Sequence, residues 1–120
     1  MVYLTNPTYD GLYFDVAEMK KVCGERIFIV DEAHGAHFYF SEKLPTGALQ
    51  AGADAAVTSV HKTLGGLSGT ALLNLASQRL DSNKIKLQHM MSADQVSPFL
   101  LADLEGCVQT FSKDGEVMID

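Results

Sequence analysis

The sequence predicts an α/β fold with a mainly parallel sheet covered by helices, in a partial three-layer α/β/α arrangement. The first third of the chain reads strand, helix, strand, which is the order of a parallel crossover unit. The strand at 27–30 is a continuous run of β-branched and aromatic residues, typical of a strand covered on both faces. Two further short apolar segments, 53–58 and 70–75, are predicted to be strands of the same sheet.

The elements of the first third have clear start and stop signals. Residues 2–4 are predicted to be the end of a strand, and the Pro and Gly residues of segment 6–11 indicate a loop. Asp15 is a predicted helix N-cap, with Glu18 three residues later at the spacing of a capping box. Gly24 is the predicted end of this helix.

The second half of the chain is predicted to be largely helical. Residues 37–40 are expected to form a loop or a short extended piece, and residues 80–91 a helix. Ser97 and Pro98 have the residue types of an N-cap and a first helical position. We expect this last helix to end in a turn at residues 113–115, where a glycine follows a charged pair.

Composition restricts the class of protein. A chain of 120 residues with 47% hydrophobic and 20% charged residues makes at most one globular domain. The net charge of -6 argues against a nucleic-acid partner, and no apolar run approaches the length of a membrane span. The first residues lack the pattern of a signal peptide, so we expect a cytoplasmic protein with reduced, structural cysteines.

Two strand ends carry the chemistry. The strand at 27–30 runs into Asp31, and the strand at 53–58 is followed by Ser59, His61 and Lys62. Parallel neighbours deliver their carboxyl ends to one crevice, where such folds bind ligands. A lysine amine buried there loses its proton more easily and can form a Schiff base with an aldehyde cofactor. Asp31 is a candidate partner for a protonated pyridine nitrogen, or else a structural hydrogen-bonding group.

The histidines and the serine have more than one interpretation. His34 and His37 are three residues apart, which is not the spacing of a helical zinc pair, so we expect no metal. A stacking or hydrogen-bonding role near a cofactor suits His34 better. His61 can donate to a phosphate or to a substrate carboxylate, and the hydroxyl of Ser59 can donate to an anchoring phosphate.

Two short segments of this chain match motifs of other protein classes. Ser59 and Lys62 have the spacing of the Ser-x-x-Lys motif of penicillin-binding enzymes, but the companion Ser-Asp-Asn and Lys-Thr-Gly motifs are missing. Residues 31–34 spell the Asp-Glu-Ala-His string of a helicase class, but the chain has no Gly-rich loop ending in Gly-Lys-Ser/Thr. Neither alternative is supported.

Several segments together resemble a known family. They are Asn6–Gly11, Val30–His37, Gly52–Asp54, Ser59–Leu64 and Ser97–Leu104. This set is similar to the major domain of the bacterial-type ornithine/lysine/arginine decarboxylases. The resemblance implies the fold of the aspartate-aminotransferase group (fold type I) and the cofactor pyridoxal 5'-phosphate (PLP). It further implies that residues 1–120 are part of the PLP-binding major domain, without its N-terminal part and without the small C-terminal domain.

The resemblance also implies roles for individual residues. Lys62 corresponds to the lysine that bonds the cofactor aldehyde, and Asp31 to the acid that pairs with the pyridine nitrogen. Ala33 corresponds to the residue packed against the ring. The implied catalytic residues are Lys62, Asp31 and His34, and the implied cofactor-binding residues are Asp31, Ala33, His34, Ser59, His61 and Lys62.

The implied activity is decarboxylation of a basic amino acid (arginine, lysine or ornithine), in an enzyme expected to form dimers or larger homo-oligomers. Ser68-Gly69 departs from the family's usual Thr-Gln-type pair, and the phosphate-cradling loop and ring-stacking residue lie upstream of Met1 in the family. Two alternatives therefore stay open. One is another fold type I PLP enzyme, such as an aminotransferase or an acyl-transferring synthase. The other is an inactive remnant that acts as a binding partner.

Overall fold

The computed structural model describes residues 1–92 and 97–119 and confirms the α/β class. In these ranges, four strands form one sheet: β1 (Val2–Thr5), β2 (Phe28–Asp31), β3 (Ala55–Ser59) and β4 (Ala71–Leu75). The α-helices of the described residues are α1 (Val16–Cys23), α2 (Val60–Thr63), α3 (Ser82–Ser92) and α4 (Pro98–Met118). A 3-10 helix occupies Ala36–Phe40.

The sheet has the order β1-β2-β3-β4 and is mainly parallel, as predicted. β1 is parallel to β2 and β2 to β3, whereas β4 is antiparallel to β3. Thr5 is paired with Asp31, and Asp31 with Val57. The carboxyl ends of β1, β2 and β3 therefore meet at one edge, and Asp31 lies at that edge.

Helix α1 covers one face of the sheet. Val16 and Cys23 of this helix pack with Phe28 and Val30 of β2 in one buried cluster. The helix begins where predicted, because Asp15 Oδ1 accepts hydrogen bonds from the backbone N–H groups of the first turn. It ends at a glycine with positive φ, which L-residues with a side chain adopt only at a cost.

The opposite face of the sheet is the one that carries Asp31. Because side chains alternate along a strand, Asp31 shares this face with Tyr3, Ile29 and, through the register, Leu73. Tyr3 is 58% exposed and Leu73 is 52% exposed. The carboxylate therefore lies on the open side of the described sheet.

Asp54 gives the Gly-Ala-Asp segment a structural role. Its carboxylate accepts the backbone N–H of Phe28 at 2.9 Å and forms an ion pair with Lys20 at 3.3 Å. Its side chain is almost fully buried. Asp54 thereby ties the start of β2 to the start of β3 and to α1, which supports the register that aligns the two strand ends.

Two local predictions are wrong. Residues 37–40 are part of a 3-10 helix rather than a loop or an extended piece, and α4 continues through 113–115 to Met118. The second error has a packing cause. A Cβ on Gly115 would lie 2.8 Å from Cβ of Phe40, so the glycine permits close contact between α4 and the 3-10 helix rather than ending a helix.

The long helix α4 packs beside the carboxyl end of the sheet. Its Phe111 is buried in a second cluster with Val60 of α2 and Ala36 of the 3-10 helix. This cluster holds the two segments that follow β2 and β3 against a common support. Within residues 1–92 and 97–119, no helix is both long enough and apolar enough to cross a bilayer.

Candidate active site

The predicted site residues gather at the carboxyl ends of β2 and β3. Asp31 is the last residue of β2, and Ser59 is the last residue of β3. The chain then turns into the short helix α2, which carries His61 and Lys62. Lys62 Nζ lies 3.3 Å from Nε2 of His34, so the structure brings together groups from the segments after two strands.

Lys62 differs from its prediction in one respect. We expected a buried amine, but the Lys62 side chain is exposed in the described chain. The short helix α2 buries Val60 in the core, whereas Lys62 lies on its exposed side. The amine is therefore accessible to a ligand from outside.

Asp31 is held by two neutral donors. Its Oδ2 accepts a hydrogen bond from the hydroxyl of Tyr3 at 3.0 Å, and its Oδ1 accepts the backbone N–H of Ala33 at 3.1 Å. Both donors are uncharged, so neither cancels the negative charge of the carboxylate. The half-buried Asp31 thus has a fixed orientation and an uncompensated charge. Ala33 contributes to the site through its backbone.

His34 links three loops. Its ring contacts Tyr9 edge to face, with centroids 5.4 Å apart and an interplanar angle of 88°. Tyr9 comes from the loop after β1, His34 from the segment after β2 and Lys62 from the segment after β3. The three segments therefore meet at one place, and Tyr9 is a neighbour of the site that the sequence did not single out.

His61 and Ser59 lie beside this cluster. His61 Nδ1 is 2.9 Å from the carbonyl oxygen of Thr70. A carbonyl can only accept, so Nδ1 carries a proton and Nε2 is the ring atom left for a ligand. To donate to a phosphate, Nε2 must carry a second proton and the ring must be cationic. Ser59 is buried, and its side chain makes no capping hydrogen bond to α2.

Glu32 is a buried acid beside Asp31 that is not among the predicted site residues. It is fully buried, accepts the backbone N–H of Ala48 at 2.8 Å and accepts the hydroxyl of Tyr39 at 2.5 Å. Burial raises the pKa of Glu32 to about 7, against the opposing effect of these two hydrogen bonds. The sequence contains a signal for this burial. Side chains alternate along a strand, so the adjacent Asp31 and Glu32 point to opposite faces and one of them enters the core.

A cavity of about 380 Å³ lies beside His34, with Tyr9, His37 and Phe38 among its walls. Burial lowers the pKa of His37, which favours its neutral form. A larger cavity of about 690 Å³ is lined by the 3-10 helix, the segment after it and α4, and by none of the predicted site residues. Size alone therefore does not locate the site in the described part of the chain.

Sequence comparisons identify the relatives of this chain. Residues 1–116 match the family model for the Orn/Lys/Arg decarboxylase major domain. The chain is 36% identical over 117 residues to an arginine decarboxylase of Halalkalibacterium halodurans and 34% identical over 118 residues to that of Bacillus anthracis. These alignments cover 95% and 96% of this chain but 24% of each relative. The chain thus spans about a quarter of the length of the relatives it matches.

A comparison of structures agrees on the fold. The chain is similar to apo CalE6, a methionine gamma lyase from Micromonospora echinospora, with a TM-score of 0.69 and 20% sequence identity. The match covers 93% of this chain and 30% of that one. It supports the fold type I architecture expected from the sequence. By its match to the family model and to these relatives, the chain belongs to the Orn/Lys/Arg decarboxylase family, whose major domain it matches over residues 1–116.

Proposed function

We propose that this chain is part of a PLP-dependent enzyme that decarboxylates a basic amino acid, with arginine the first substrate to test. The family match and the arginine decarboxylase relatives support the reaction class. The single structural observation that carries the proposal is the 3.3 Å contact between Lys62 Nζ and His34 Nε2. His34 follows three residues after Asp31, the last residue of β2, at the carboxyl edge of the sheet.

The donor set fits PLP. The cofactor needs a primary amine for its aldehyde and an anion for its protonated ring nitrogen, and Lys62 and Asp31 supply these groups. The Lys62 amine is exposed, and the charge of Asp31 is not cancelled by its two neutral donors. Ser59 and His61 are the candidates for contacts with the phosphate group. When bound, PLP supplies an electron sink for the electrons released at the substrate α-carbon.

The proposed work of Lys62 is nucleophilic and depends on its protonation. An amine attacks a carbonyl only in its neutral form. His34 Nε2 lies within hydrogen-bonding distance of Nζ and can accept its proton when the other ring nitrogen carries the hydrogen. We therefore assign to His34 the role of proton acceptor for Lys62, and to Tyr9 the role of holding the His34 ring by edge-to-face contact.

The proposed work of Asp31 is electrostatic. Its carboxylate lies half-buried, where a charge pair is worth more than in bulk water. By keeping a ring nitrogen protonated, Asp31 makes the cofactor a stronger electron acceptor. The Ala33 N–H keeps one carboxylate oxygen in place, so the charge stays directed at the site.

A binding and product assay tests this function. Wild-type chain mixed with PLP should develop an absorption band that Lys62→Ala lacks, while Lys84→Ala, which removes an exposed lysine of α3, should keep the band. With arginine, lysine or ornithine, the wild type should release carbon dioxide, and Lys62→Ala should lose activity by at least about a thousandfold.

The other outcomes separate the alternatives. A Lys62-dependent band together with a keto acid product indicates a different PLP reaction and contradicts decarboxylation. Identical spectra for wild type and Lys62→Ala contradict the role of Lys62. A stable complex with a full-length relative, without a band or a product, supports an inactive binding partner instead.

A further inference from the structure

We propose that Tyr3 is a positioning residue for Asp31, and that it orients the carboxylate toward the ring nitrogen of bound PLP. This inference rests on the proposed function, because it assigns Asp31 a cofactor to face. The observation is direct: the Tyr3 hydroxyl donates to Asp31 Oδ2 at 3.0 Å. Tyr3 lies outside all the sequence segments that carry the family resemblance.

The contact follows from the register of two parallel strands. Tyr3 of β1 is paired with Ile29 of β2, and Asp31 lies two residues further along β2 on the same face. A diagonal neighbour of this kind is too far for short side chains but within reach of a tyrosine. The phenol therefore spans the gap between the middle of β1 and the carboxyl end of β2.

The Asp31 carboxylate accepts hydrogen bonds from two different segments. Oδ1 accepts the Ala33 N–H from the segment after β2, and Oδ2 accepts the Tyr3 hydroxyl from the neighbouring strand. Together these contacts restrict rotation of the carboxyl group about its bond to Cβ. Each carboxylate oxygen has two lone pairs, so Oδ2 can still accept a further donor such as a ring N–H. The two contacts leave both the charge and a bonding site available.

Tyr3 is suited to a clean test because the residue is 58% exposed, so little packing depends on it. Removing only the hydroxyl leaves the ring packing intact and removes one donor to Asp31. The hydrogen bond to Asp31 is also the largest cause of a raised Tyr3 pKa, which gives a readout without cofactor. Tyr13→Phe is a matched control, since the Tyr13 hydroxyl donates to the backbone oxygen of Thr46 rather than to Asp31.

The experiment compares wild type, Tyr3→Phe and Tyr13→Phe as full 120-residue chains. Titration with PLP should give a dissociation constant about fivefold to tenfold higher for Tyr3→Phe and unchanged for Tyr13→Phe. With PLP labelled with ¹⁵N in the ring, the nitrogen resonance should move toward that of the unprotonated form in Tyr3→Phe. Without PLP, the Asp31→Asn substitution should lower the pKa of Tyr3, followed by the NMR signals of labelled tyrosines.

Each result has a distinct meaning. If wild type and Tyr3→Phe bind PLP with the same affinity and give the same nitrogen resonance, the inference is overturned. The proposed function is then unaffected. Weaker affinity with an unmoved nitrogen resonance also overturns it, because that pattern indicates a structural role. If the pKa of Tyr3 is the same in wild type and in Asp31→Asn, the hydrogen bond is absent and the inference is overturned. A wild type that does not bind PLP contradicts the proposed function itself, and the inference with it.

Discussion

Asp31 and Glu32, the two adjacent acids at the end of β2, lie on opposite faces of the sheet and differ in burial. Asp31 points to the open face of the sheet and bonds Tyr3, whereas Glu32 is fully buried against Tyr39 and the backbone of Ala48. A buried carboxyl is stable in its protonated form, so burial separates Glu32, in the core, from Asp31, the candidate cofactor partner on the open face. The division follows from the alternation of side chains along the strand.

The protonation of Glu32 predicts a pH dependence of folding. The folded chain holds the proton up to pH about 7, whereas an unfolded chain releases it near pH 4.5. Between these values the folded state binds more protons, so this residue makes the free energy of unfolding decrease as pH rises from about 4.5 to about 7. At about 1.4 kcal/mol for each pKa unit, the loss is about 3 kcal/mol.

The measurement is denaturant unfolding at several pH values. Glu32→Gln cannot ionise, so the stability difference between wild type and Glu32→Gln should shrink or reverse as pH rises through this window. Glu25→Gln removes an exposed acid and serves as the control. A difference between wild type and Glu32→Gln that stays constant from pH 4.5 to 7 would contradict a raised pKa of Glu32 in the folded chain.

At the level of single residues, the sequence predicted where the candidate site residues lie in the fold better than it predicted their surroundings. The positions of Asp31 at the end of β2, and of His34 and Lys62 in the segments after β2 and β3, could be predicted because strand patterns and parallel order determine where a strand's carboxyl end lies. The contact of Tyr3 with Asp31 could not, since it depends on the register of β1 against β2, and apolar patterns do not fix a register between parallel strands. The exposure of Lys62 could not be predicted either, because it depends on how α2 packs in the fold, which no local pattern encodes.

At the level of elements, glycine has different roles at different places. Gly24 ends α1 with positive φ, as predicted, whereas Gly115 lies inside α4 and makes room for Phe40. A sequence pattern does not distinguish a glycine that ends a helix from one that permits close packing, because the second depends on a partner 75 residues away in the chain. The same limit applies to the 3-10 helix at Ala36–Phe40, which is held by α4.

Two glycines of α4 give a matched pair of substitutions. A Cβ on Gly115 would lie 2.8 Å from Cβ and 2.9 Å from the backbone oxygen of Phe40, whereas a Cβ on Gly106 would meet open space. Gly115→Ala should therefore destabilise the chain by about 1–3 kcal/mol. Gly106→Ala should stabilise it by up to about 1 kcal/mol, because alanine is the better helix former.

Thermal or denaturant unfolding of the two variants measures this difference. Because Phe40 and α4 support the segments after β2 and β3, Gly115→Ala should also weaken PLP binding, whereas Gly106→Ala should not. Equal effects of the two substitutions would contradict the packing of α4 on the 3-10 helix.

At the level of the whole molecule, the order of the strands determines which side chains meet at the candidate site. Parallel β1, β2 and β3 bring Tyr9, Asp31, His34 and Lys62 to one edge, although these residues are up to 53 positions apart. The α/β class, the mainly parallel sheet and the family could be predicted from the sequence because they rest on periodicity and on motifs. The open face that carries Asp31 could not, because it reflects which surfaces the described segments cover.

Borohydride trapping tests most directly whether Lys62 and PLP bond at this edge of the sheet. Reduction fixes the cofactor to the lysine that has bonded its aldehyde, and mass spectrometry of a digest then identifies that lysine. We predict a pyridoxyl group on Lys62 in the wild type, with much less labelling in Asp31→Ala. Labelling spread evenly over exposed lysines such as Lys21 and Lys84, or labelling that leaves Lys62 unmodified, would contradict the proposed site.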